Sequence, residues 1–209
     1  MRLVTFLVIT YLCGELRRAR EREASRDWAD PVTGVGSHRL FHEVASAELA
    51  RVQRTRRPFS LAYLDIDGLR GVNERLGYRA GDALLALVAR TLDRDGRKAD
   101  TCARIGGDEL VLLMPETDPG GARTALQRIL SVLSEIFRED GWPVTLSVGV
   151  VTFTEPPPGV DEMLRAAESC MYAAKRAGKN RVEFTEWDEA APAAEVERSE
   201  QPDGAARDR

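Results

Sequence analysis

Cysteine and histidine are scarce in this 209-residue chain: three of the first, Cys13, Cys102 and Cys170, and two of the second, His38 and His42. An odd number of widely spaced thiols builds neither a disulfide framework nor a zinc ligand set, so a reducing, cytoplasmic compartment is the simpler expectation. His38 and His42 have the spacing of one helical face, yet no acidic or cysteine pattern accompanies them, which favours ordinary surface histidines over a metal site. A long apolar run is also missing. The segment from Arg2 to Cys13 is apolar for about a dozen residues, short of the roughly 20 that a membrane-spanning helix needs. It suits a truncated span, a surface anchor or a docking helix, and no small-x-small cleavage site marks it as a secretory signal. Nor does one sign of charge dominate. Thirty basic against 34 acidic side chains leave a formal charge of −4, which offers no footprint for nucleic acid.

What is present is a folded domain with charged flanks. A hydrophobic content of 43% fits a globule, and the length allows one α/β domain plus extensions, because a single core occupies roughly 100–150 residues. Residues 1–14 form the short apolar segment. Residues 15–29 are dense in Arg and Glu and read as a solvated linker or signalling helix that joins an upstream element to the domain. Residues 188–209 carry seven acidic and three basic side chains among Ala, Pro and Ser. That composition buries too little apolar area to offset chain entropy, so an acidic disordered tail is expected. The domain itself is placed at 30–187, starting at Asp30-Pro31-Val32-Thr33-Gly34.

Within the domain, Ser37 is suited to cap a helix whose apolar face is Phe41, Val44, Ala45, Leu49 and Val52. Phe59 to Ile66 reads as a central strand. A second helix begins near Ala80 with Leu84, Leu85, Leu87, Val88 and Leu92 at helical spacing. Ala103 to Ile105 and Leu110 to Met114 flank Gly106-Gly107-Asp108-Glu109, which places that tetrapeptide on the turn of a hairpin. A helix over about Gly120 to Phe137, a strand over Val144 to Phe153, a helix over Asp161 to Ala177 and a strand over Arg181 to Phe184 complete the order α-β-α-β-β-α-β-α-β. This is an α+β fold with a ferredoxin-like core, a mostly antiparallel central sheet with packed helices.

The chemistry-bearing residues gather at two points. Asp65 and Asp67 fall on one side of a central strand, where two carboxylates repel each other unless a cation neutralises them. Asp108 and Glu109 supply a second acidic pair, and oxygen ligands of this kind suit Mg²⁺ together with phosphates and water. The alternative for each is a cap or a turn. Asn73 and Asp82 offer an amide and a carboxylate to a purine edge, the carboxylate accepting from the N1–H and amine that guanine presents and adenine does not. Gly77 and Gly81 support a plain turn role for the same pair equally well. Arg70, Lys175 and Lys179 offer positive charge, and the two lysines stand one helical turn apart.

Over nearly all of residues 30–185 the sequence resembles the GGDEF-domain diguanylate cyclases. The shared stretches are Asp30 to Gly34, Asp65-Ile-Asp-Gly-Leu-Arg-Gly-Val-Asn73, Gly77-Tyr-Arg-Ala-Gly-Asp82, Arg104-Ile-Gly-Gly-Asp-Glu-Leu110, Ser147-Val-Gly149 and Met171-Tyr-Ala-Ala-Lys-Arg-Ala-Gly-Lys-Asn-Arg181. The resemblance implies a nucleotidyl-cyclase fold and an enzyme that joins two GTP into cyclic di-GMP with release of two pyrophosphates. It implies Mg²⁺, with Mn²⁺ as a substitute, on Asp65, the Ile66 carbonyl and Asp108. Glu109 would stand near the reacting 3′-hydroxyl, Asn73 and Asp82 would read guanine, and Arg70, Lys175 and Lys179 would meet the phosphates beside Gly106 and Gly107.

It further implies a homodimer, each protomer holding one GTP, and an inhibitory cyclic di-GMP site at Arg97 and Asp100 supported by Arg128 and Arg51. Three departures stand out: Leu110 and Leu69 replace aromatic residues, Arg70 replaces a lysine, and Ser37-His38-Arg39 stands where Asn-Arg-Arg is common. They leave open a second function, a catalytically idle domain that binds GTP or cyclic di-GMP and signals to a partner, and a third, a purely structural oligomerisation module.

Overall fold

The computed structural model describes residues 28–188. The apolar segment 1–14, the charged stretch 15–27 and the tail from 189 onward lie outside the described residues. Ten elements follow in order: α1 His38–Thr55, β1 Phe59–Asp67, α2 Leu69–Leu76, α3 Tyr78–Asp95, β2 Thr101–Arg104, β3 Glu109–Met114, α4 Pro119–Glu139, β4 Thr145–Phe153, α5 Val160–Arg176 and β5 Arg181–Glu186. The sheet runs β2-β3-β1-β4-β5. Every neighbouring pair is antiparallel except β4 with β5.

β1 is central and buried along its whole length, and its alternation divides the core in two. Ala62, Leu64 and Ile66 face α3 and α4, among them Leu84, Leu92, Leu126 and Leu133. Phe59, Leu61 and Tyr63 face α1 and α5, against Phe41, Val52, Met163 and Met171. Both layers are therefore covered by helices, and Asp65 and Asp67 at the C-terminal end of β1 are buried polar side chains.

The local signals behave as their chemistry dictates. Ser37 caps α1 by accepting from the Leu40 amide, and Asp118 caps α4 with Pro119 in its first turn. Ser60, deep in β1, satisfies its hydroxyl on the Thr117 carbonyl at 2.9 Å and on Thr152 Oγ1 at 2.8 Å. Gly149 is fixed by contact: a Cβ there would lie 2.1 Å from the Met171 amide nitrogen, so α5 packs on β4 at backbone range. Among the described residues no helix is long and apolar enough to cross a membrane.

The structure corrects the element order in one place. An extra helix, α2, occupies Leu69–Leu76, and α3 begins at Tyr78 rather than near Ala80. The α2 sequence is Leu-Arg-Gly-Val-Asn-Glu-Arg-Leu, bounded by Gly68 at φ 89° and Gly77 at φ 85°. Eight polar-rich residues between glycines carry almost no periodic apolar signal. Leu69 and Val72, both buried, fix it by tertiary contact.

Candidate active site

The hairpin β2–β3 presents the signature as expected. Its turn runs from Ile105 to Asp108, closed by the Ile105 amide on the Glu109 carbonyl at 3.1 Å. Glu109 opens β3 directly opposite Asp65 in β1, so the two acidic clusters are brought together by strand register. Glu109 folds against Gly106, where a Cβ would come within 2.0 Å of its Oε2. Gly107 has open space around it, which leaves that part of the loop free for a ligand.

Electrostatics in this corner favour protons or cations. Burial raises the Asp65 carboxyl, Lys175 opposes that rise, and the neighbouring Asp108 and Asp67 charges add to it, leaving it above the ordinary range. Glu109 is likewise raised, first by burial and then by Glu168, Asp108 and Asp65, against a lowering from the Tyr63 hydroxyl. Asp65 Oδ2 meets Lys175 Nζ at 2.6 Å. Among the described residues no group of three His, Cys, Asp or Glu side chains converges for a metal. Of the ligands expected from the sequence, Asp65 and Asp108 are electrostatically coupled, the Asp108 charge raising Asp65, and two such carboxylates form an incomplete oxygen set of the kind that phosphates and water complete around Mg²⁺.

Asp67 does not join them. Its oxygens accept from Ser147 Oγ at 2.9 Å, Thr145 Oγ1 at 2.8 Å and the Asn180 amide at 3.3 Å. The repulsion anticipated between Asp65 and Asp67 is relieved by these donors on one carboxylate and an ammonium on the other. Asp67 thus ties β1 to β4 and to the turn before β5.

Beside the signature a cavity of about 530 Å³ is lined by Leu69, Arg70, Asn73, Asp82, Arg104 and Asp108, with Tyr78 at its rim. Asn73 and Asp82 are brought together there. Asn73 packs on Gly81, where a Cβ would fall 1.9 Å from Oδ1. That oxygen is buried without a hydrogen-bond partner. Arg70 lies at the same cavity, exposed and paired with Glu74 at 2.9 Å.

Lys179 departs from the expected arrangement. α5 ends at Arg176, and Gly178 at φ 115° and Lys179 at φ 61° turn the chain away, with the Lys179 amide on the Ala174 carbonyl. Lys175 and Lys179 are therefore not successive turns of one helix. Gly178 at the end of the run is the sign that spacing alone overlooked.

The Arg97–Asp100 turn is held by the Arg97 amide on Asp100 Oδ2 at 2.7 Å, while Asp100 Oδ1 is buried without a partner. Burial raises Asp100, with Arg97 and Arg128 opposing, and Arg128 donates to the Asp95 carbonyl. Arg51 is engaged elsewhere, with Glu48 and Glu116. His38 and His42 lie 5.5 Å apart, and His42 meets Asp161 at 3.2 Å. Leu110 is fully buried and Leu69 nearly so, which makes both departures matters of packing beneath the loop.

One residue that braces the signature loop had no assigned role in the sequence. Arg104 holds Asp30 at 3.2 Å and the carbonyls of Gly106 and Gly107 at 3.0 and 2.7 Å. Its place directly before the signature was the available sign.

A helix-covered, mostly antiparallel sheet thus sets paired carboxylates at a glycine hairpin, with Asp108 lining a cleft that also holds Asn73 and Asp82. The chain belongs to the GGDEF-domain family: residues 27–181 match the family described as diguanylate cyclase, GGDEF domain. It is 32% identical over 166 residues to the diguanylate cyclase DgcP of Pseudomonas aeruginosa, covering 78% of this chain and 25% of that protein. It is 29% identical to DgcM of Escherichia coli, covering 84% and 43%. The chain thus spans less than half the length of these curated relatives.

Among solved structures, a microbial GGDEF domain with bound cyclic di-GMP superimposes with a TM-score of 0.67 at 29% identity, covering 76% of this chain and 99% of that one. The diguanylate cyclase SiaD of Pseudomonas aeruginosa, in complex with its activator SiaC, superimposes at 0.68 with 27% identity, covering 88% and 72%.

Proposed function

We propose that the domain condenses two GTP molecules into cyclic di-GMP, releasing two pyrophosphates. The observation that carries this reading is the register of Asp65 opposite Glu109, with the adjoining Asp108 lining the cleft that holds Asn73 and Asp82. Asn73 and Asp82 orient guanine, the Asn73 amide lining its pocket and the Asp82 carboxylate taking its N–H donors. Arg70, Lys175 and Lys179 supply charge to the triphosphate. Glu109, raised above the usual carboxylate range, is suited to take the proton of the attacking 3′-hydroxyl. A divalent ion on Asp65, Asp108 and the Ile66 carbonyl, Mg²⁺ or in its place Mn²⁺, supplies neutralisation of the phosphate charge.

One domain offers one such cleft, so the reaction needs two protomers face to face about a two-fold axis. Arg97, Asp100 and Arg128 would hold the product as an inhibitor, and the field of both arginines on Asp100 supports their acting together. Arg51 enters such a site only from a second protomer, because its own ion pairs lie outside the Arg97 turn.

The idle-domain reading gains nothing from Leu110 and Leu69, which are core residues. Incubation of purified protein with GTP and Mg²⁺, followed by chromatographic separation of nucleotides, tests the proposal. Cyclic di-GMP and pyrophosphate are expected from the wild type and not from Asp108→Asn. GTP binding without product at a concentration where the protein is dimeric would overturn it.

A further inference from the structure

We propose that Lys175 is a resident counter-cation for Asp65, and that a divalent ion gains this carboxylate only after a triphosphate has drawn the lysine away. The inference rests on the reading of Asp65 and Asp108 as metal ligands, and it adds an order to that site: nucleotide first, or nucleotide and metal together, with metal alone held only weakly.

The geometry is specific. Lys175 Nζ stands 2.6 Å from Asp65 Oδ2, with side-chain exposures of 24% and 8%. A pair so shielded from water is not loosened by screening in the way a surface pair is. Asp108 adds to the pull on the ammonium, so the lysine stands in the field of both carboxylates that a metal would use. A divalent ion coordinated by the same carboxylate would lie close to this ammonium, and two cations at one buried carboxylate repel each other.

The helix carrying Lys175 cannot retreat to relieve that conflict. α5 is packed at backbone range on Gly149, and the last α5 turn is closed by the Ala177 and Lys179 amides. The side chain can move, however, because four methylenes allow the ammonium to swing while its backbone stays put. Its Nζ already lies 5.4 Å from the Tyr172 ring, which is partly exposed. A triphosphate offers several oxygens where Asp65 offers two, and it brings the negative charge that lets both cations coexist. Transfer of Lys175 from Asp65 to phosphate would therefore free the metal ligand at the step that delivers the substrate.

The test is metal binding without turnover. Free Mn²⁺ is followed by electron paramagnetic resonance at pH 8 in the absence of nucleotide. Wild type should bind weakly, and Lys175→Met should bind about tenfold tighter because the competing charge is gone. Lys175→Arg keeps the charge and should remain like wild type, a difference that loss of packing alone would not produce. Lys175→Gln carries the same expectation as Lys175→Met should the methionine variant fail to fold. Adding Asp65→Asn to Lys175→Met should return binding to the weak level.

Equal Mn²⁺ affinity in wild type and Lys175→Met, or equal behaviour of the Met and Arg variants, overturns the proposal. The metal-site reading is tested separately with α,β-methylene GTP present. If Mn²⁺ retention then is the same in wild type and Asp108→Asn, that reading falls. If it differs while Lys175→Met stays unchanged, only the counter-cation role falls.

Discussion

Arg104 and Asp30 are joined at 3.2 Å across 74 positions of sequence, and the same guanidinium holds the Gly106 and Gly107 carbonyls. One planar group thus fixes both the start of the domain and the conformation of the signature loop, a use that its fork of donors serves and a lysine would not. Arg104→Ala is expected to lose about 1–3 kcal/mol of stability, since it strips donors from a mostly buried carboxylate and two carbonyls. Cyclic di-GMP formation should fall at least about tenfold through misplacement of the loop. Thermal unfolding and product assay on one preparation check both.

Asp30 gives that contact a pH signature. Burial raises its carboxyl, but the Thr33 hydroxyl and amide with the Arg104 guanidinium outweigh burial, so the net shift is downward. A depressed carboxylate contributes stability that is complete above its unfolded value of about 3.9 and lost as pH falls through the lower folded value. Asp30→Asn should flatten the melting temperature of the protein between about pH 5 and 2 relative to wild type.

Gly106 and Gly107 should separate cleanly. Gly106→Ala places a methyl on the Glu109 carboxylate and should cost about a hundredfold in turnover. Gly107→Ala meets nothing within 4 Å and should stay within a few-fold. Kinetics of the two variants, with circular dichroism to confirm folding, provide the comparison.

Asn73→Ala should leave stability unchanged or slightly improved, because it removes a buried oxygen that has no partner in the free protein. Binding of GTP should weaken about tenfold or more, with discrimination against ATP reduced. Calorimetric titration with both nucleotides distinguishes this from simple damage.

The raised carboxyls set the acid limb of the rate profile. Glu109 must be ionised to accept a proton, and its folded pKa stands above the usual glutamate value of about 4.3. Turnover should therefore decline on acidification already at a pH where an exposed glutamate is still charged. Measurement of kcat/KM from pH 4.5 upward reads it directly.

Strands and amphipathic helices were legible because burial imposes its period on the residues that make them. Phe59 to Ile66 and the Leu84 to Leu92 face needed no other information. α2 was not legible, since two apolar contacts rather than a pattern hold it. Asp65 and Asp108 were readable as a pair from composition at strand ends, yet their partners were not. That Asp67 would spend itself on Ser147 and Thr145, that Lys175 would sit on Asp65, and that Lys179 would leave the helix at Gly178 all depend on pairings of distant segments. Spacing along one element carries no record of such pairings.

Gly36 accepts from the Arg104 amide at 2.8 Å and donates to the Cys102 carbonyl at 3.0 Å, while Ser37 binds back to the Trp28 carbonyl. The leading stretch of the domain is thereby laced onto the outer margin of β2. A twist applied at Trp28 would reach the hairpin through a handful of rigid links with no slack between them, which makes this margin a handle on the signature loop as well as a seal on the sheet.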